Sequence, residues 1–255
     1  MNIKLTNKAL MTTLLGCSLL LNVASAGIIK VSDSDFNSGA GQITFAEFAF
    51  GTVNPFYTPS NYGGDVSDPD VSFDGWFTGQ SLSLTPSIDC PGAAATACIV
   101  GSPIGSLSLD ASAPDTFIAT DVAHPSSPVL SGTPIFNGGI AILFSSDQFG
   151  VGFDGGFFNS IGSTAITAFA RDGSLIGSVQ NTVEGIEFLG LVTDDNIASI
   201  AGVFLDLVGD EPAGFSIDNI RFGGVNDIDI NVVPEPSTYL IMALGLLGIV
   251  TSRKT

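Results

Sequence analysis

The fold class is indicated most clearly by the stretch from Thr164 to Val179, TAITAFARDGSLIGSV. Two runs rich in strand-forming residues, 165–170 and 175–179, flank the turn sequence Arg171-Asp172-Gly173-Ser174. Asp-Gly between such runs is a strong hairpin signal, because both central positions of the favoured two-residue turn need a positive φ. We therefore predict an antiparallel hairpin over these residues.

The neighbouring sequence repeats this pattern of short apolar segments and turn clusters. Segments rich in Val, Ile, Phe and Thr alternate with Gly, Ser, Asn, Asp and Pro, and no helical period is sustained outside the termini. The pattern predicts one all-β domain over residues 27–231, nearly free of helix and built as an antiparallel β-sandwich. Further strands are predicted at 140–144, 186–191, 197–208 and 215–222.

The composition excludes several classes of protein. Only 13% of the 255 residues are charged and 45% are hydrophobic, whereas about 25% charged is usual, so neither a disordered acidic tail nor a helical bundle is expected. Between residues 27 and 234, three basic residues face 24 acidic ones, a net charge of −21. Nucleic acid is not an expected partner, because its binding depends on Lys and Arg.

The first 26 residues have the pattern of a secretory signal peptide. A charged start precedes an apolar stretch and a small-residue cleavage site, as signal peptidase requires. The mature chain is therefore predicted to begin at Gly27. The three parts of the signal are Lys4 with Lys8, residues 9–23, and Ala24-Ser25-Ala26.

The C-terminal segment 232–255 also has three parts. Pro234-Glu235-Pro236 is a rigid tripeptide, because proline fixes φ and restricts the residue before it. An apolar run follows at 238–251, and Arg253 and Lys254 form a basic stop. The run is shorter than the roughly 20 residues that span a membrane. The basic flank and the export signal nevertheless favour a single hydrophobic helix with a cytoplasmic C-terminus.

These three elements, in this order, resemble the PEP-CTERM sorting tail of exported proteins in Gram-negative bacteria. The resemblance implies that Pro234, Glu235 and Pro236 are recognised by an exosortase, a membrane-embedded transpeptidase-like enzyme. It also implies transient anchoring in the inner membrane with the domain on the periplasmic side, followed by delivery to the cell surface or extracellular space. Such proteins are often found with exopolysaccharide and biofilm matrix.

A second resemblance concerns the ectodomain. The stretch from Gly150-Val151-Gly152-Phe153-Asp154 through the hairpin to Gly214–Phe222 resembles the closing strands of jelly-roll, carbohydrate-binding-module-like sandwiches. In such modules a structural calcium ion joins an early strand to the last one. Glu47 and Asp218 look similar to that pair, although Asp218 has an alternative role in capping a turn or pairing with Arg221.

A second set of carboxylates offers another place for calcium, which prefers several oxygen ligands. The four acids lie close together in one predicted loop, but the loop lacks the Gly and terminal Glu of an EF-hand. A solvated loop is therefore the alternative interpretation. The four residues are Asp65, Asp68, Asp70 and Asp74.

One sequence pattern occurs twice. Val71–Phe77 and Val151–Phe157 share the order Val-x-Phe-Asp-Gly, followed in each case by Phe at the seventh position. Two copies without surrounding similarity do not make a repeat array. We interpret them as two strand ends that bury Val and Phe and turn at Asp-Gly.

Cysteine usage fits an oxidising compartment. Cys90 and Cys98 are the only cysteines after the signal peptide, so we predict one disulfide that closes a small surface loop. The third, Cys17, lies within the predicted signal. An alternative interpretation makes Leu14-Leu15-Gly16-Cys17 a lipoprotein cleavage site with Cys17 as the lipid-bearing N-terminus.

Aromatic residues are the candidates for glycan binding, which needs exposed rings beside polar groups. We predict Trp76, Tyr57 and Tyr62 as platforms. Trp76 neighbours Phe77, and successive side chains of a strand face opposite sides, so one of the two is expected to point outward. Burial of Trp76 in the core is the alternative.

Little in the sequence points to catalysis. His124 is the only histidine, and no Gly-x-Ser-x-Gly elbow accompanies it. We therefore predict a non-enzymatic cell-surface or matrix protein with a structural or adhesive role and contact with polysaccharide. The alternative is a secreted carbohydrate-active hydrolase that uses paired carboxylates.

Overall fold

The computed structural model describes residues 27–121 and 128–230. The predicted signal peptide, the sorting tail with its apolar helix, Cys17 and His124 all lie outside these residues. Within the described ranges, no helix is both long enough and apolar enough to cross a membrane.

The described part of the chain is nearly all strand, with 43% of residues in strands and 7% in helices, which confirms the predicted fold class. It contains two short α-helices, α1 (Pro59–Tyr62) and α2 (Pro86–Asp89), and two 3-10 helices, Asp33–Asp35 and Ala95–Ala97. The strands are β1 (Ile28–Val31), β2 (Gly41–Ile43), β3 (Val71–Asp74), β4 (Gln80–Leu82), β5 (Ile99–Gly101), β6 (Phe117–Thr120), β7 (Pro128–Ser131), β8 (Ile140–Gln148), β9 (Gly150–Phe158), β10 (Thr164–Phe169), β11 (Leu175–Gln180), β12 (Gly185–Thr193), β13 (Ile200–Leu207) and β14 (Ser216–Gly223).

The strands form two main antiparallel sheets. The first sheet has the order β1-β12-β9-β14-β7-β6, and β2 also pairs with β14. The second sheet has the order β11-β10-β13-β8-β3, and β4 and β5 form a separate two-stranded ribbon. In these two sheets, the neighbouring pairs β6–β7 and β10–β11 are consecutive in sequence. The other neighbouring strands are separated in sequence by further strands.

The predicted hairpin is present as β10 and β11, paired from Ala165↔Gln180 to Phe169↔Leu175. Its turn differs from the expected two-residue type, because among the turn residues only Gly173 has a positive φ, of 84°. The loop is longer, and the register shifts at Ala168/Phe169 to accommodate it. Asp172 Oδ1 stabilises the turn by accepting hydrogen bonds from the Ser174 N–H and hydroxyl at 2.9 and 2.6 Å.

The main core lies between the two sheets. Val151, Phe153 and Ile217 project from the first sheet, and Ile142 and Val203 from the second; all are buried in one cluster. Because side chains alternate across a strand, the residues between them face outward. The outer face of each sheet is therefore available either for further packing or for a ligand.

The outer face of the second sheet is covered by packing. Trp76, Phe77 and Leu107, from the chain that connects β3 with β6, bury themselves against Phe169 and Phe204 of β10 and β13. This second layer explains why every residue of β10 is buried. It also leaves the first sheet as the one whose outer face is partly open.

The two copies of the Val-x-Phe-Asp-Gly pattern behave differently. β3 ends at Asp74, as predicted, and the chain bends at Gly75. The prediction is wrong for the second copy, because β9 continues through Asp154 and Gly155 to Phe158. Gly155 is paired on both sides, with Glu187 of β12 and Ile217 of β14, and these two ladders hold the strand extended.

Candidate ligand-binding cleft

A cleft of about 390 Å³ lies on the outer face of the first sheet, where it crosses β12, β9, β14 and β7. Its volume falls in the range of about 300–1,000 Å³ that is typical of small-ligand sites. The described residues that line it are Asp121, Val129, Asp154, Gly155, Gly156, Phe157, Ile186, Ser216, Ile217, Asp218 and Asn219.

Two carboxylates of the cleft are placed by strand register. Asp154 of β9 is the direct partner of Asp218 of β14. Their neighbours Phe153 and Ile217 are buried in the main core, so both aspartates project from the opposite face. The Cβ atoms of directly paired residues lie about 5 Å apart, so the pairing sets the two carboxylates side by side.

Asn219 joins the two carboxylates. The register of β14 against β9 shifts between Asp218 and Arg221, and Asn219 takes a left-handed φ of 47° there, which Asn tolerates better than most residues. Its Nδ2 donates to Asp154 Oδ2 at 2.9 Å and its backbone N–H donates to Asp218 Oδ1 at 2.7 Å. The register shift in β14 thus allows Asn219 to hold Asp154 and Asp218 in one hydrogen-bonded group.

Phe157 forms an apolar wall beside these polar residues. Its side chain is 42% exposed, and Ile186 beside it is 44% exposed. A second, mostly apolar cavity of about 210 Å³ lies next to Phe157 and includes Phe136 and Phe215. A side chain at Gly156 would bring its Cβ within 2.8 Å of Ile186 Cγ1, so glycine keeps this part of the cleft open.

The position of Phe157 follows from a second register shift. Glu187 of β12 pairs with Gly155 of β9, but Gly185 pairs with Phe158, so β9 has one extra residue at this point. Such a bulge changes the sheet face toward which the following side chains point. It places Phe158 in the main core and leaves Phe157 exposed.

Hydrogen bonds to the side chains of Glu211 and Asn159 fix the end of β9 against the chain before β14. Glu211 is fully buried, and its Oε2 accepts from the Asn159 N–H at 2.9 Å and the Ser163 hydroxyl at 2.7 Å. Burial raises the pKa of this carboxyl above its ordinary value. Asn159 Oδ1 in turn accepts from the Ala213 N–H at 2.9 Å. These bonds hold Ala213, which lines the apolar cavity, close to the end of β9.

Cys90 and Cys98 form a disulfide, with their two Cα atoms 5.8 Å apart. The two cysteines are buried, while most residues of the loop that they close are exposed, as predicted for a small surface loop. Within the loop, the Thr96 hydroxyl donates to the Asn137 carbonyl at 2.6 Å, and the Ala94 N–H donates to the Glu211 carbonyl at 2.9 Å. The disulfide loop thereby links the chain before β8 to the chain before β14.

The few basic side chains of the domain form ion pairs that do not include the cleft carboxylates. Lys30 pairs with Glu187, Arg171 with Asp147 and Arg221 with Asp33, at 2.6, 2.6 and 2.9 Å. These are all the lysines and arginines between residues 27 and 234. Among the described lining residues, then, no side chain carries a positive charge.

The structure corrects the predicted glycan platforms. Tyr57 is fully buried and Trp76 is 9% exposed, because Tyr57 packs in the main core and Trp76 in the layer on the second sheet. Neither presents a ring face to a sugar. The expectation that Trp76 or Phe77 points outward also fails, because β3 ends before them and both are buried.

Tyr62 is half-buried. Its hydroxyl donates to the Pro69 carbonyl at 2.6 Å, and its ring contacts Phe222 edge-on, with 5.3 Å between centroids. It borders a polar pocket with Asp65 and Asp68 that is separate from the cleft. The structure does not bring the three predicted aromatic residues together into one platform.

The predicted calcium pair is divided between two environments. Asp218 lies in the cleft, whereas Glu47 Oε1 accepts from the Thr44 N–H and hydroxyl at 3.0 and 2.8 Å. Glu47 Oε2 and the Tyr57 hydroxyl are both buried without a partner in hydrogen-bond geometry. The pKa of Tyr57 is raised, first by burial and then by the nearby Glu47 charge.

The four-aspartate loop does not gather into a ligand set either. Asp68 Oδ2 accepts from the Asp65 N–H at 2.6 Å, and Asp74 accepts from Gly75. Burial raises the pKa of Asp74 to about 6. Across residues 27–121 and 128–230, no group of three or more His, Cys, Asp or Glu side chains is placed to hold a metal ion. Calcium binding therefore stays a prediction without geometric support.

Asp121, Asp154 and Phe157 were not predicted from sequence as site residues. The signals were partly visible, since Asp154 interrupts an apolar strand and Asp218-Asn219 interrupts another. Asp154 and Phe157 are joined to Asp218 and Asn219 by the β9–β14 register and by the bulge at Phe157, and neither follows from residue pattern alone.

The comparisons with known proteins concern the C-terminal segment. A family model described as the PEP-CTERM protein-sorting motif matches residues 232–254, a range that includes Pro234-Glu235-Pro236 and both basic residues of the stop. No curated protein matches the chain. The chain thus carries the PEP-CTERM protein-sorting motif behind a sheet-rich domain, and is an exported protein of the kind that an exosortase sorts.

Proposed function

We propose that this protein is a non-enzymatic component of the cell surface or extracellular matrix that contacts polysaccharide through the cleft. After signal peptidase removes residues 1–26, the tail would hold the chain in the inner membrane with the domain on the periplasmic side. Exosortase action near Pro234-Glu235-Pro236 then precedes delivery to the surface. The role of the domain in this proposal is adhesive and associated with exopolysaccharide.

One observation carries the binding part of this proposal, the exposed Phe157 ring beside the Asp154–Asn219–Asp218 group. A sugar ring has an apolar face of C–H groups and a rim of hydroxyls. The Phe157 ring suits the first, and carboxylate oxygens accept strong hydrogen bonds from the second. Apolar walls with a few placed polar groups are typical of ligand sites.

Phe157→Ala is expected to weaken binding of the mature protein to its polysaccharide about tenfold, since an exposed aromatic anchor contributes on the order of 1–2 kcal/mol. Phe50→Ala is the matched control, because Phe50 is 64% exposed and does not line the cleft. Isothermal titration with cell-derived exopolysaccharide measures both. Equal affinity of the two variants would place the binding site elsewhere.

A second candidate function is glycoside hydrolysis, favoured by the side-by-side carboxylates Asp154 and Asp218. Retaining glycosidases hold two carboxyl groups about 5–5.5 Å apart, and one of them must donate a proton. Against this role, both aspartates accept hydrogen bonds from Asn219, an arrangement that uses them as acceptors. Release of reducing ends by the wild type, abolished in Asp154→Asn, would favour the hydrolase over the adhesive protein.

A further inference from the structure

The chain leaves the folded domain through a short segment, residues 226–230, which we call the exit segment. Ile228 is 3% exposed and forms an antiparallel bridge with Phe36. These two side chains pack in one apolar cluster with residues of β1 and β12 and with Phe149. Ile230, the last described residue, packs against the same cluster. The packed domain therefore extends as far as Ile230.

Three hydrogen bonds hold the exit segment against an earlier part of the chain. The Asn37 N–H donates to the Asp227 carbonyl at 2.9 Å, and the Asp229 N–H donates to the Asp35 carbonyl at 2.7 Å. Asn37 Nδ2 donates to the Asn226 carbonyl at 2.9 Å. The exit segment contributes only main-chain atoms to these bonds, and the side chains of Asn226 and Asp229 are exposed. Substitution of either side chain thus leaves the three bonds in place.

The sorting motif begins directly after the exit segment. The family match starts at residue 232, two residues beyond Ile230, and Pro234 is four residues beyond it. A chain of n residues spans at most about 3.3–3.6 Å × n, whatever its conformation. Pro234 therefore lies within about 14 Å of Ile230.

An enzyme that binds the motif at this distance must touch the domain. Even a small protein domain is about 30 Å across, so its surface extends about 15 Å from a peptide bound at its centre. We infer that the exosortase binds the motif while in contact with the domain, at the surface formed by the exposed side chains of Asn226 and Asp229. This inference goes beyond the polysaccharide role of the domain and rests on the motif match, not on the cleft.

The opposite end of the first sheet offers a matched control position. Val192 of β12, in the cluster under the exit segment, pairs with Gly150 of β9, whereas Gly185 pairs with Phe158 at the other end of both strands. The two ends of β9 lie about 26 Å apart at about 3.3 Å per residue. Glu184 precedes Gly185 and is exposed, so it carries a surface carboxylate far from the exit segment.

The test measures processing of the full chain in cells that carry the exosortase, by pulse labelling and the appearance of the tail-free form. Asp229→Arg should slow processing at least about threefold, because charges at a protein contact are complementary and set the association rate. Asn226→Arg should slow it in the same way. Glu184→Arg reverses a charge at the far end and should keep the wild-type rate. Equal protease resistance of the domain establishes that all variants are folded.

A flexible spacer separates contact from every other effect of these substitutions. Ten Gly and Ser residues inserted after Ile230 raise the maximum reach of Pro234 to about 46–50 Å, so that the enzyme and the domain no longer have to touch. In chains with the spacer, Asp229→Arg and Asn226→Arg should therefore be processed at the rate of the spacer chain alone.

The possible results separate the inference from the sorting account. Wild-type rates for both exit variants at native spacing would overturn the contact with the domain. Slowing that persists in full with the spacer, or equal slowing in Glu184→Arg, would also overturn it, because neither result depends on proximity to the exit segment. A wild-type chain that is not processed at all would overturn the sorting part of the proposed function and the inference together.

Discussion

Replacing Pro234, Glu235 and Pro236 together with alanine is expected to abolish delivery of the protein to the cell surface. The family match covers these residues, and proline on both sides of Glu235 restricts the backbone before and after it. Alanine removes both the restricted conformation and the carboxylate. The chain should therefore be exported across the inner membrane but stay there with its tail uncleaved.

The measurement is fractionation of cells that express tagged variants, followed by immunodetection of the inner-membrane, outer-surface and medium fractions. A matched control is Ser252→Ala with Thr255→Ala, which changes the same short segment but spares the tripeptide and the basic stop. The control should reach the surface as the wild type does. Surface delivery of the alanine triple variant at wild-type levels would contradict the sorting account.

Phe153→Ala is expected to cost about 3–5 kcal/mol in free energy of unfolding, the usual loss for a fully buried Phe. Phe153 has no exposed surface and lies in the main core between the two sheets. Its removal leaves a cavity bounded by strands that cannot move together without breaking their ladders. In a domain of ordinary stability, about 5–15 kcal/mol, this change removes a large part of the total.

Phe157→Ala provides the comparison on the same strand. Phe157 is 42% exposed on the cleft side, so its loss should change the free energy of unfolding by less than about 1 kcal/mol, as surface substitutions usually do. Urea denaturation of both variants, with the Cys90–Cys98 disulfide kept oxidised, gives the two values. Similar losses of unfolding free energy in Phe153→Ala and Phe157→Ala would contradict the assignment of Phe153 to the core and Phe157 to the cleft.

The strands were predictable because alternation and turn chemistry are local. The Asp172-Gly173 turn, and the apolar segments that became β12, β13 and β14, are each specified by about ten residues. The buried positions of Tyr57 and Trp76 were not predictable in this way. Trp76 is buried by a long connection that folds back over the second sheet, and Tyr57 is buried in the main core between the sheets. Both depend on contacts with residues distant in sequence, which no local pattern specifies.

The residues of the cleft were also not predictable from local sequence pattern. Strict alternation from the buried Phe153 would place Phe157 on the core side of β9, since the two are four residues apart. The extra residue opposite Ile186 reverses that assignment. Asp154 and Asp218 meet only through pairing between strands 64 residues apart. The strands β12 and β14 were predicted from sequence, whereas β9 was predicted to end at Asp154-Gly155 and β7 was not predicted. The contacts across these strands create the site.

Hydrogen–deuterium exchange of the mature protein with and without its exopolysaccharide tests the central claim most directly. The polysaccharide should slow exchange in peptides that contain Gly155-Gly156-Phe157 and Ser216–Asn219, the two segments that line the cleft. Exchange around Trp76 and Tyr57, which are buried away from it, should not change. Protection confined to other surfaces, or none at saturating polysaccharide, would contradict the account.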